Sequence, residues 1–305
     1  MAGESSPVTP FTKRMLKMLL SQIIQCTIVG IMMGSVYALI AFGFNLISGV
    51  VKITNFSHGM FVLIGAYLAM TFSRALGIDP YVALLLTLPC AFIIGVACHK
   101  LFVQPILNAP KINQFILTLG LMIFLENMLL IIFGGDFKGL TTWYTSESIM
   151  FGFVSVNYAL LFAFFATILT MVGLLYILYH TRLGKAMRAV ADDKEAAALL
   201  STNVRNIYTL SFGLAAVLAG VAGTATISYL IVTPNEGRAI VIKAFIVTIF
   251  GGTGSIGGTI LGGLILGLLE NLGILIINPA LASALSLSVM ILVILFRPTG
   301  LLGKQ

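Results

Sequence analysis

The sequence RLGKAMRAVADDKEAAALLSTNVRNIY occupies Arg182–Tyr208 and is the longest polar stretch of the chain. Apolar runs at about 158–180 and 207–232 flank it, and each is long enough to cross a bilayer, which takes about 20 residues. A polar, helix-forming segment held between two membrane spans must stand in water at the membrane face. We therefore expect residues 182–206 to be accessible to a soluble partner.

The composition of the chain predicts a membrane protein. Of its 305 residues, 59% are apolar and 9% are charged, whereas soluble domains carry about 25% charged residues. The apolar runs are longer than the roughly 10-residue alternating strands of an outer-membrane barrel, so the spans are expected to be helical. We predict an all-α polytopic integral membrane protein, in which the 31 glycines suit close helix packing.

The apolar runs predict roughly eight to ten membrane segments. Two of them, near 240–256 and 281–296, are short for a full crossing, so broken or half-helices are expected. The runs lie at about 19–50, 57–74, 80–98, 112–134, 158–180, 207–232, 240–256, 258–277 and 281–296.

Basic residues predict the orientation, because cytoplasmic loops are enriched in lysine and arginine. The regions that hold 12 of the 17 basic residues are 1–18, 99–111, 181–206 and the tail from Arg297. The predicted organisation is a cytoplasmic tail at 1–18, one transmembrane domain at 19–297 with a cytoplasmic loop at 182–206, and a cytoplasmic tail at 298–305. The net charge of +7 is therefore not a sign of nucleic-acid binding.

The first apolar run, 19–50, leaves two arrangements open. A cytoplasmic start requires the run to leave the cytoplasm and return, and about 32 residues are short for two full spans. Breaks at Gly34 and Gly43 would give a span followed by a half-helix, and the basic residues before the run favour this arrangement. The alternative is one long tilted span with the N-terminus outside.

The polar segment has its own helix signals. Asp192 is predicted to cap a short helix, because Glu195 follows at the spacing of a capping box. Ala196, Ala197 and Ala198 are strong helix formers that would leave a smooth knob for a partner's groove. A solvated connecting loop is the alternative that these residues leave open.

A polar cluster at Asn55, Ser57 and His58 interrupts the apolar runs of the first half. With Gly59 behind it, the cluster predicts a helix start or a broken helix, where free N–H groups favour an anion such as a carboxylate. Helix capping with an interfacial histidine and a place in the substrate path both remain open.

Two acidic residues, Glu126 and Glu270, lie inside apolar runs, and each is followed by an asparagine, Asn127 or Asn271. An ionisable residue in a membrane span is costly unless it is partnered or hydrated, which makes it a candidate functional residue. Structural contact between helices and a role in the substrate path are both open. The repeated Leu-Glu-Asn is a weak sign of an internal repeat, of the kind found in transporters built from two halves.

The glycines after residue 250 predict close packing. Gly254, Gly258 and Gly262 recur every four residues, as do Gly263 and Gly267, so both sets are expected on helix faces that touch other helices. The run Gly251–Gly254 is expected to break the helix.

An outer loop at about 134–157 contains the single tryptophan, Trp143. An interfacial aromatic anchor and a docking surface for an external substrate-delivering protein are both open.

The chain shows no constellation for chemistry on a substrate. Cys26, Cys90 and Cys98 lie in apolar runs without metal or disulfide spacing, so no metal site is expected. The sequence contains no G-x-x-x-x-G-K-[ST] phosphate loop. We therefore expect a transport protein rather than an enzyme, driven by ATP on another chain or by an ion gradient.

Several motifs carry a family resemblance. Glu195-Ala196-Ala197 after RLGKAMRAV resembles the EAA-type coupling loop of ABC importer permeases. The segment Ser35–Leu68, SVYALIAFGFNLISGVVKITNFSHGMFVLIGAYL, resembles the matching region of the branched-chain amino acid permease family, with NFSHG at Asn55–Gly59 as its most specific piece.

The resemblance extends over about residues 30 to 300. KAFIVTIFGGTGSIGGTILGGLILGLLEN at Lys243–Asn271 matches in the same order. One departure is Ser201, where the family's loop usually has glycine, so the turn at this position is not carried over from the family.

The resemblance implies the permease subunit of an ATP-driven importer for branched-chain or other hydrophobic or neutral amino acids, working by alternating access in a bacterial or archaeal plasma membrane. Its implied partners are a second, paralogous permease subunit, two ATP-binding subunits at the cytoplasmic face, an extracytoplasmic substrate-binding protein and membrane lipid, but no nucleic acid. ATP would be used by the partner subunits, and this chain would bind no cofactor. The alternatives are a permease for urea or short amides, an ion-coupled secondary transporter and a channel.

The resemblance also implies roles for particular residues. ATPase coupling is expected of Arg182, Gly184, Arg188, Asp192, Glu195, Ala196, Ala197 and Ser201. The substrate path is expected, from the polar side chains in or beside the apolar runs rather than from the resemblance, to include Asn45, Asn55, Ser57, His58, Glu126, Asn127, Glu270 and Asn271.

Overall fold

The structure is a computed structural model, and it describes residues 10–152, 154–297 and 300–302. The described chain is a bundle of helices with one small antiparallel hairpin, so the predicted all-α membrane fold is confirmed. The helices are α1 (Pro10–Val50), α2 (His58–Leu76), α3 (Pro80–Cys98), α4 (Lys111–Phe133), α5 (Tyr158–His180), α6 (Arg182–Asp192), α7 (Lys194–Leu199), α8 (Val204–Tyr229), α9 (Gly237–Gly251), α10 (Ile256–Ile276) and α11 (Pro279–Phe296). The strands are β1 (Ser148–Phe151) and β2 (Val154–Asn157).

Seven of the described helices are long and apolar enough to cross a membrane, namely α1 to α5, α8 and α10. Helix α3 continues through a π turn and a 3-10 turn to Ile106, which gives a span of 27 residues. Helices α9 and α11 are shorter, with 15 and 18 residues. The expected eight to ten segments, with half-helices among them, agree with this arrangement.

Helix α1 is one continuous helix of 41 residues, so the favoured break at Gly34 or Gly43 is wrong. Both glycines permit close contacts instead. A Cβ on Gly34 would lie 2.8 Å from the carbonyl oxygen of Gly263 on α10, and one on Gly43 would lie 2.8 Å from the ring of His58. Glycine costs a helix only about 1 kcal/mol relative to alanine, and tight packing of this kind offsets that cost.

The two ends of α1 lie at opposite ends of the bundle. The side chain of Gln25 accepts a hydrogen bond from the N–H of Ser155 in the hairpin, which precedes α5. Lys52, just past the other end of α1, lines a cavity with the α6–α7 junction, which follows α5. We call these two ends the hairpin face and the α6–α7 face.

This placement corrects the predicted tail at 1–18. Residues 1–9 lie outside the described residues, and residues 10–18 form the first turns of α1 at the hairpin face. Residues 182–206 begin and end at the other face. The predictions that 1–18 and 182–206 are both cytoplasmic are therefore incompatible, because a single span separates residues 10–18 from the α6–α7 face.

Helix α8 is the centre of the bundle. Its membrane window is 78% buried, against 28% for those of α3 and α5, which leave most of their surface for lipid or for other chains. Small residues make this burial possible. Gly220 packs beside Gly65 of α2 and Ala91 of α3, and Gly223 packs against the backbone of α2 at Val62.

The glycines of α10 pack against two helices. Gly258 and Gly262 face α9 at Gly251 and Phe250, whereas Gly263 and Gly267 face α1 at Ala38 and Gly34. Gly254 is on neither of these helix faces, although a Cβ on Gly49 of α1 would lie 3.4 Å from its Cα. It lies in the turn between α9 and α10 with φ 79°, a conformation that favours glycine, and a Cβ there would meet nothing within 4 Å.

Helix α9 starts inside the bundle. Val232 pairs with Lys138 of the loop at the hairpin face, and the chain then passes inward through a 3-10 turn at Pro234–Glu236. Gly237, the first residue of α9, packs against Met60 and Leu63 of α2. This entry explains why α9 is only a half-helix.

Candidate functional site

The polar segment folds as the two short helices α6 and α7. Thr181 caps α6 by accepting a hydrogen bond from the N–H of Gly184. The cap of α7 is Asp193, whose carboxylate accepts the N–H groups of Glu195 at 2.8 Å and Ala196 at 3.1 Å. These N–H groups lower the pKa of the Asp193 carboxyl. The predicted cap, Asp192, is instead the last residue of α6, so the cap lies one residue further along.

Helix α6 is tied closely to the end of α5. Gly184 lies so near the carbonyl oxygens of Ile177 and Leu178 that no Cβ fits there. The guanidinium of Arg188 donates to the carbonyl oxygen of Leu178 and lies 5.1 Å above the ring of Tyr179. A displacement of α6 is therefore transmitted to α5 through backbone contacts as well as through side chains.

The outer surface of the polar segment is exposed. Arg182, Asp192, Glu195 and Ala196 point into solvent, whereas Ala197 is buried. The segment ends in two adjacent apolar side chains that sequence analysis did not single out, Leu199 and Leu200, which are 87% and 81% exposed. Together they form a small apolar patch on a segment outside the membrane helices, which another protein can cover.

The unusual residue Ser201 occupies a left-handed position, with φ 64°. Its N–H donates to Ala198, and the N–H of Thr202 donates to Ala197, at 3.0 and 3.1 Å. This pair of bonds is the Schellman motif that ends helices, and its left-handed residue is most often glycine. The position itself explains why glycine is usual there.

A cavity of about 910 Å³ separates the α6–α7 junction from the loops at the same face. Asp192, Asp193 and Glu195 line one side of it, and the rest of the lining combines uncharged side chains with basic ones, among them Lys52 and Arg205. The described residues show no ion pair across this cavity. The junction is therefore not locked to the bundle by charge contacts.

Both acidic residues of the membrane spans are paired, and both partners come from α9. Arg238 Nε donates to Glu126 Oε2 at 3.0 Å. Lys243 Nζ donates to Glu270 Oε2 at 2.9 Å and to the hydroxyl of Tyr37 at 3.0 Å, and that hydroxyl donates to Glu270 at 2.7 Å. Sequence reasoning missed these partners, although two cations in a half-helix were a visible signal.

The remaining polar residues of the predicted path bond within the bundle. Asn127 and Asn271 donate to carbonyl oxygens one turn earlier in their own helices, at Ile123 and Gly267. Asn45 donates to the hydroxyl of Thr259 and accepts the N–H of Gly254, both at 2.7 Å. Asn45 thereby joins α1 to the turn before α10.

The cluster before α2 is fully buried. The side-chain oxygen Oδ1 of Asn55 accepts the N–H and the hydroxyl of Ser57, which shapes the turn into α2. His58 Nε2 donates to the carbonyl oxygen of Ile40 at 2.9 Å, and its Nδ1 has no hydrogen-bond partner among the described residues. In this conformation the cluster is closed off by protein, and its role in the substrate path stays a prediction.

The loop at the hairpin face forms an aromatic cluster. The rings of Tyr144 and Phe162 lie 5.1 Å apart, and Trp143 packs edge-on against Tyr144 at 5.3 Å. Tyr144 is buried, and this burial together with the carboxylate of Asp79 raises the pKa of its hydroxyl. Trp143 is 64% exposed, which fits either an interfacial anchor or a docking surface.

Comparison with known proteins identifies a permease family. Residues 27–294 match the model of the family described as the permease component of branched-chain amino acid transport systems. The chain is 34% identical to the high-affinity branched-chain amino acid transport system permease protein BraD of Pseudomonas aeruginosa, over 90% of this chain and 94% of that protein. It is 32% identical to LivH of Escherichia coli, with the same coverage, and 29% identical to a probable LivH of Methanocaldococcus jannaschii, over 90% of each chain.

Proposed function

The chain belongs to the family of permease components of branched-chain amino acid transport systems, and on that premise we propose that it translocates branched-chain or other hydrophobic amino acids with energy from ATP. It is a multi-pass protein of the plasma membrane. In this proposal two ATP-binding subunits dock at the α6–α7 face, a substrate-binding protein docks at the hairpin face, and a second permease completes the path.

The observation that carries the proposal is the exposed leucine tip of α7. Leu199 and Leu200 hold most of their apolar surface in water, and burying such surface in a partner's groove is favourable by about 25 cal/mol per Å². The tip is connected to α6, and α6 is bonded to α5 at Leu178. A subunit that grips the tip can therefore move a membrane span.

The cavity beside the α6–α7 junction supports movement of this kind. Charges of both signs face it without forming an ion pair in the described residues, so the junction can shift without breaking such a pair. We infer that closure of the ATP-binding subunits displaces α6 and α7 relative to the loops across the cavity. Alternating access would follow from the resulting tilt of α5 against α8.

This proposal assigns the sides of the membrane. With α6 and α7 in the cytoplasm, residues 10–18 of α1 and the hairpin lie on the extracytoplasmic side. The turn after α9 lies near the α6–α7 face, because its Gly254 is bonded to Asn45, five residues before the end of α1. Arg297 lies at this face too, because Leu301 donates its N–H to Phe250 near the end of α9. Residues 300–302 would then be cytoplasmic.

Charge reversal and polar substitution at the tip test the proposal. Glu195→Lys and the double change Leu199→Ser/Leu200→Ser should each reduce co-purification of the ATP-binding subunits at least tenfold, while the permease remains inserted. Glu147→Lys is the matched control, because it reverses an exposed acid at the hairpin face and should leave co-purification unchanged.

The functional readout is ATP-driven uptake into proteoliposomes that contain the full transporter. Uptake of labelled leucine should fall in parallel with co-purification in both tip variants. Unaltered co-purification and uptake in both variants would refute the assignment of the tip. Concentrative uptake by the chain alone, without nucleotide, would refute the ATP-driven mechanism.

A further inference from the structure

The exposed side of α9 is poorly suited to lipid. Arg238 is the second residue of α9, and its side chain is 59% exposed. Its partner Glu126 lies seven residues before the end of α4 at Phe133, which is about 10 Å inside that helix end at about 1.5 Å per residue. Exposed charge at this depth is costly in hydrocarbon, so this side of α9 must face water or another chain.

The guanidinium of Arg238 has unused donors. Among the described residues its one hydrogen bond runs from Nε to Glu126, which leaves the two terminal nitrogens without a protein partner. Glu126 itself is buried, with 7% of its side chain exposed. The pair therefore presents the two terminal nitrogens of the arginine, which we call its fork, rather than the carboxylate, to the space beside α9.

The second ion pair in the membrane is arranged differently. Lys243 is bonded to both Glu270 and Tyr37, and its ammonium also lies 4.6 Å from the centre of the Tyr37 ring. Its side chain is 30% exposed, about half the value for Arg238. Two of the three N–H donors of this ammonium are bonded within the described residues, so Arg238 is the cation with more free donors and greater exposure.

Apolar side chains continue the exposed side of α9. Ile242 and Phe245 are 46% and 36% exposed, and they follow Arg238 at four and seven residues, the spacing of one helix face. A ligand held on this face would meet a cation at one end and apolar surface beyond it. A hydrophobic amino acid has this distribution, with a carboxylate next to an aliphatic side chain.

We propose that Arg238 binds the α-carboxylate of the amino acid during translocation, with the aliphatic side chain against Ile242 and Phe245. The proposal rests on the function proposed above, because it takes this side of α9 to line the path. A guanidinium binds a carboxylate by donating two parallel N–H hydrogen bonds to it. Glu126 positions the arginine by holding Nε, which leaves both terminal nitrogens, among the described residues, free to donate to a ligand.

Two substitutions at Arg238 test this role in the reconstituted full transporter. Arg238→Gln removes the charge and the fork, and we expect ATP-driven leucine uptake to fall at least tenfold while binding-protein-stimulated ATP hydrolysis stays within twofold. Arg238→Lys keeps the charge without the fork and should give an intermediate uptake rate. Arg74→Gln is the matched control, because Arg74 is also exposed but bonds only the backbone of Gly139, and it should change neither rate.

Each other result overturns the proposal. Uptake by Arg238→Gln within twofold of the wild type would show that the carboxylate does not need this arginine. An equal loss of uptake and ATP hydrolysis would show a structural role for the ion pair. If Arg238→Gln fails to assemble, the lysine variant decides, since wild-type uptake in an assembled Arg238→Lys transporter refutes recognition by the fork. Absence of ATP-driven uptake by the wild type would instead refute the function proposed above.

Discussion

Replacing Ser201 with glycine should stabilise the end of α7. Ser201 holds a left-handed backbone conformation with φ 64°, which costs an L-residue about 1–2 kcal/mol. Glycine avoids that cost but loses more backbone entropy on ordering, about 0.5–1 kcal/mol. The difference predicts a gain of about 0.5–1 kcal/mol, which lowers the equilibrium constant for local opening about two- to fivefold.

Amide hydrogen exchange of the assembled transporter measures this change directly. The reporting amides are those of Leu200, Ser201 and Thr202, whose bonds to Ala196, Ala198 and Ala197 close the helix end. In Ser201→Gly they should exchange about two- to fivefold more slowly than in the wild type.

Two further variants bracket the result. Ser201→Val should speed exchange, because a β-branched residue tolerates positive φ poorly. Ala198→Gly is the control inside α7, where glycine should destabilise by about 1 kcal/mol and also speed exchange. Equal exchange rates in the glycine, serine and valine proteins would refute the reasoning, because backbone conformation at residue 201 would then not limit opening.

The remaining predictions concern the packing and the charges of α10. Gly267→Leu should destabilise the protein by about 3 kcal/mol or more, because its Cβ would press on the backbone of α1. Thermal unfolding in detergent measures this loss. The control is Gly120→Leu, where a Cβ would meet nothing within 4 Å, so stability should change by less than about 0.5 kcal/mol. Lys243→Met should cost up to about 3 kcal/mol because it leaves Glu270 buried without its cation, and the double change Lys243→Met/Glu270→Met should recover most of that loss. A double variant less stable than Lys243→Met alone would show that the pair is not what the single change disrupts.

Sequence reasoning identified the features that depend on local composition. Apolar runs identified the membrane helices, because a helix that crosses the lipid needs about 20 consecutive apolar residues. The polar stretch that begins at Arg182 was recognisable because a long run of polar residues does not lie within the lipid. The glycine run at Gly251–Gly254 marked the turn between α9 and α10, where Gly252 and Gly254 have positive φ.

The cap of α7 shows that sequence reasoning can place a helix start to within one residue but cannot choose between adjacent residues. Asp192 and Asp193 are both acceptable caps by residue type, and the capping-box spacing to Glu195 favoured Asp192. The structure uses Asp193, because α6 extends through Asp192 and its last residue is already helical. A choice between adjacent residues depends on where the preceding helix ends.

The sequence by itself determined that this is a helical membrane protein with one polar segment available to a partner. Only the tertiary structure decided that α1 runs unbroken, because Gly34 and Gly43 are positions of close contact with residues more than ten places away along the chain. Only the structure matched Glu126 and Glu270 with Arg238 and Lys243. Hydrophobicity acts residue by residue and is visible in a run of letters, whereas a packing contact or an ion pair depends on which distant segments meet, and that is set by the whole bundle.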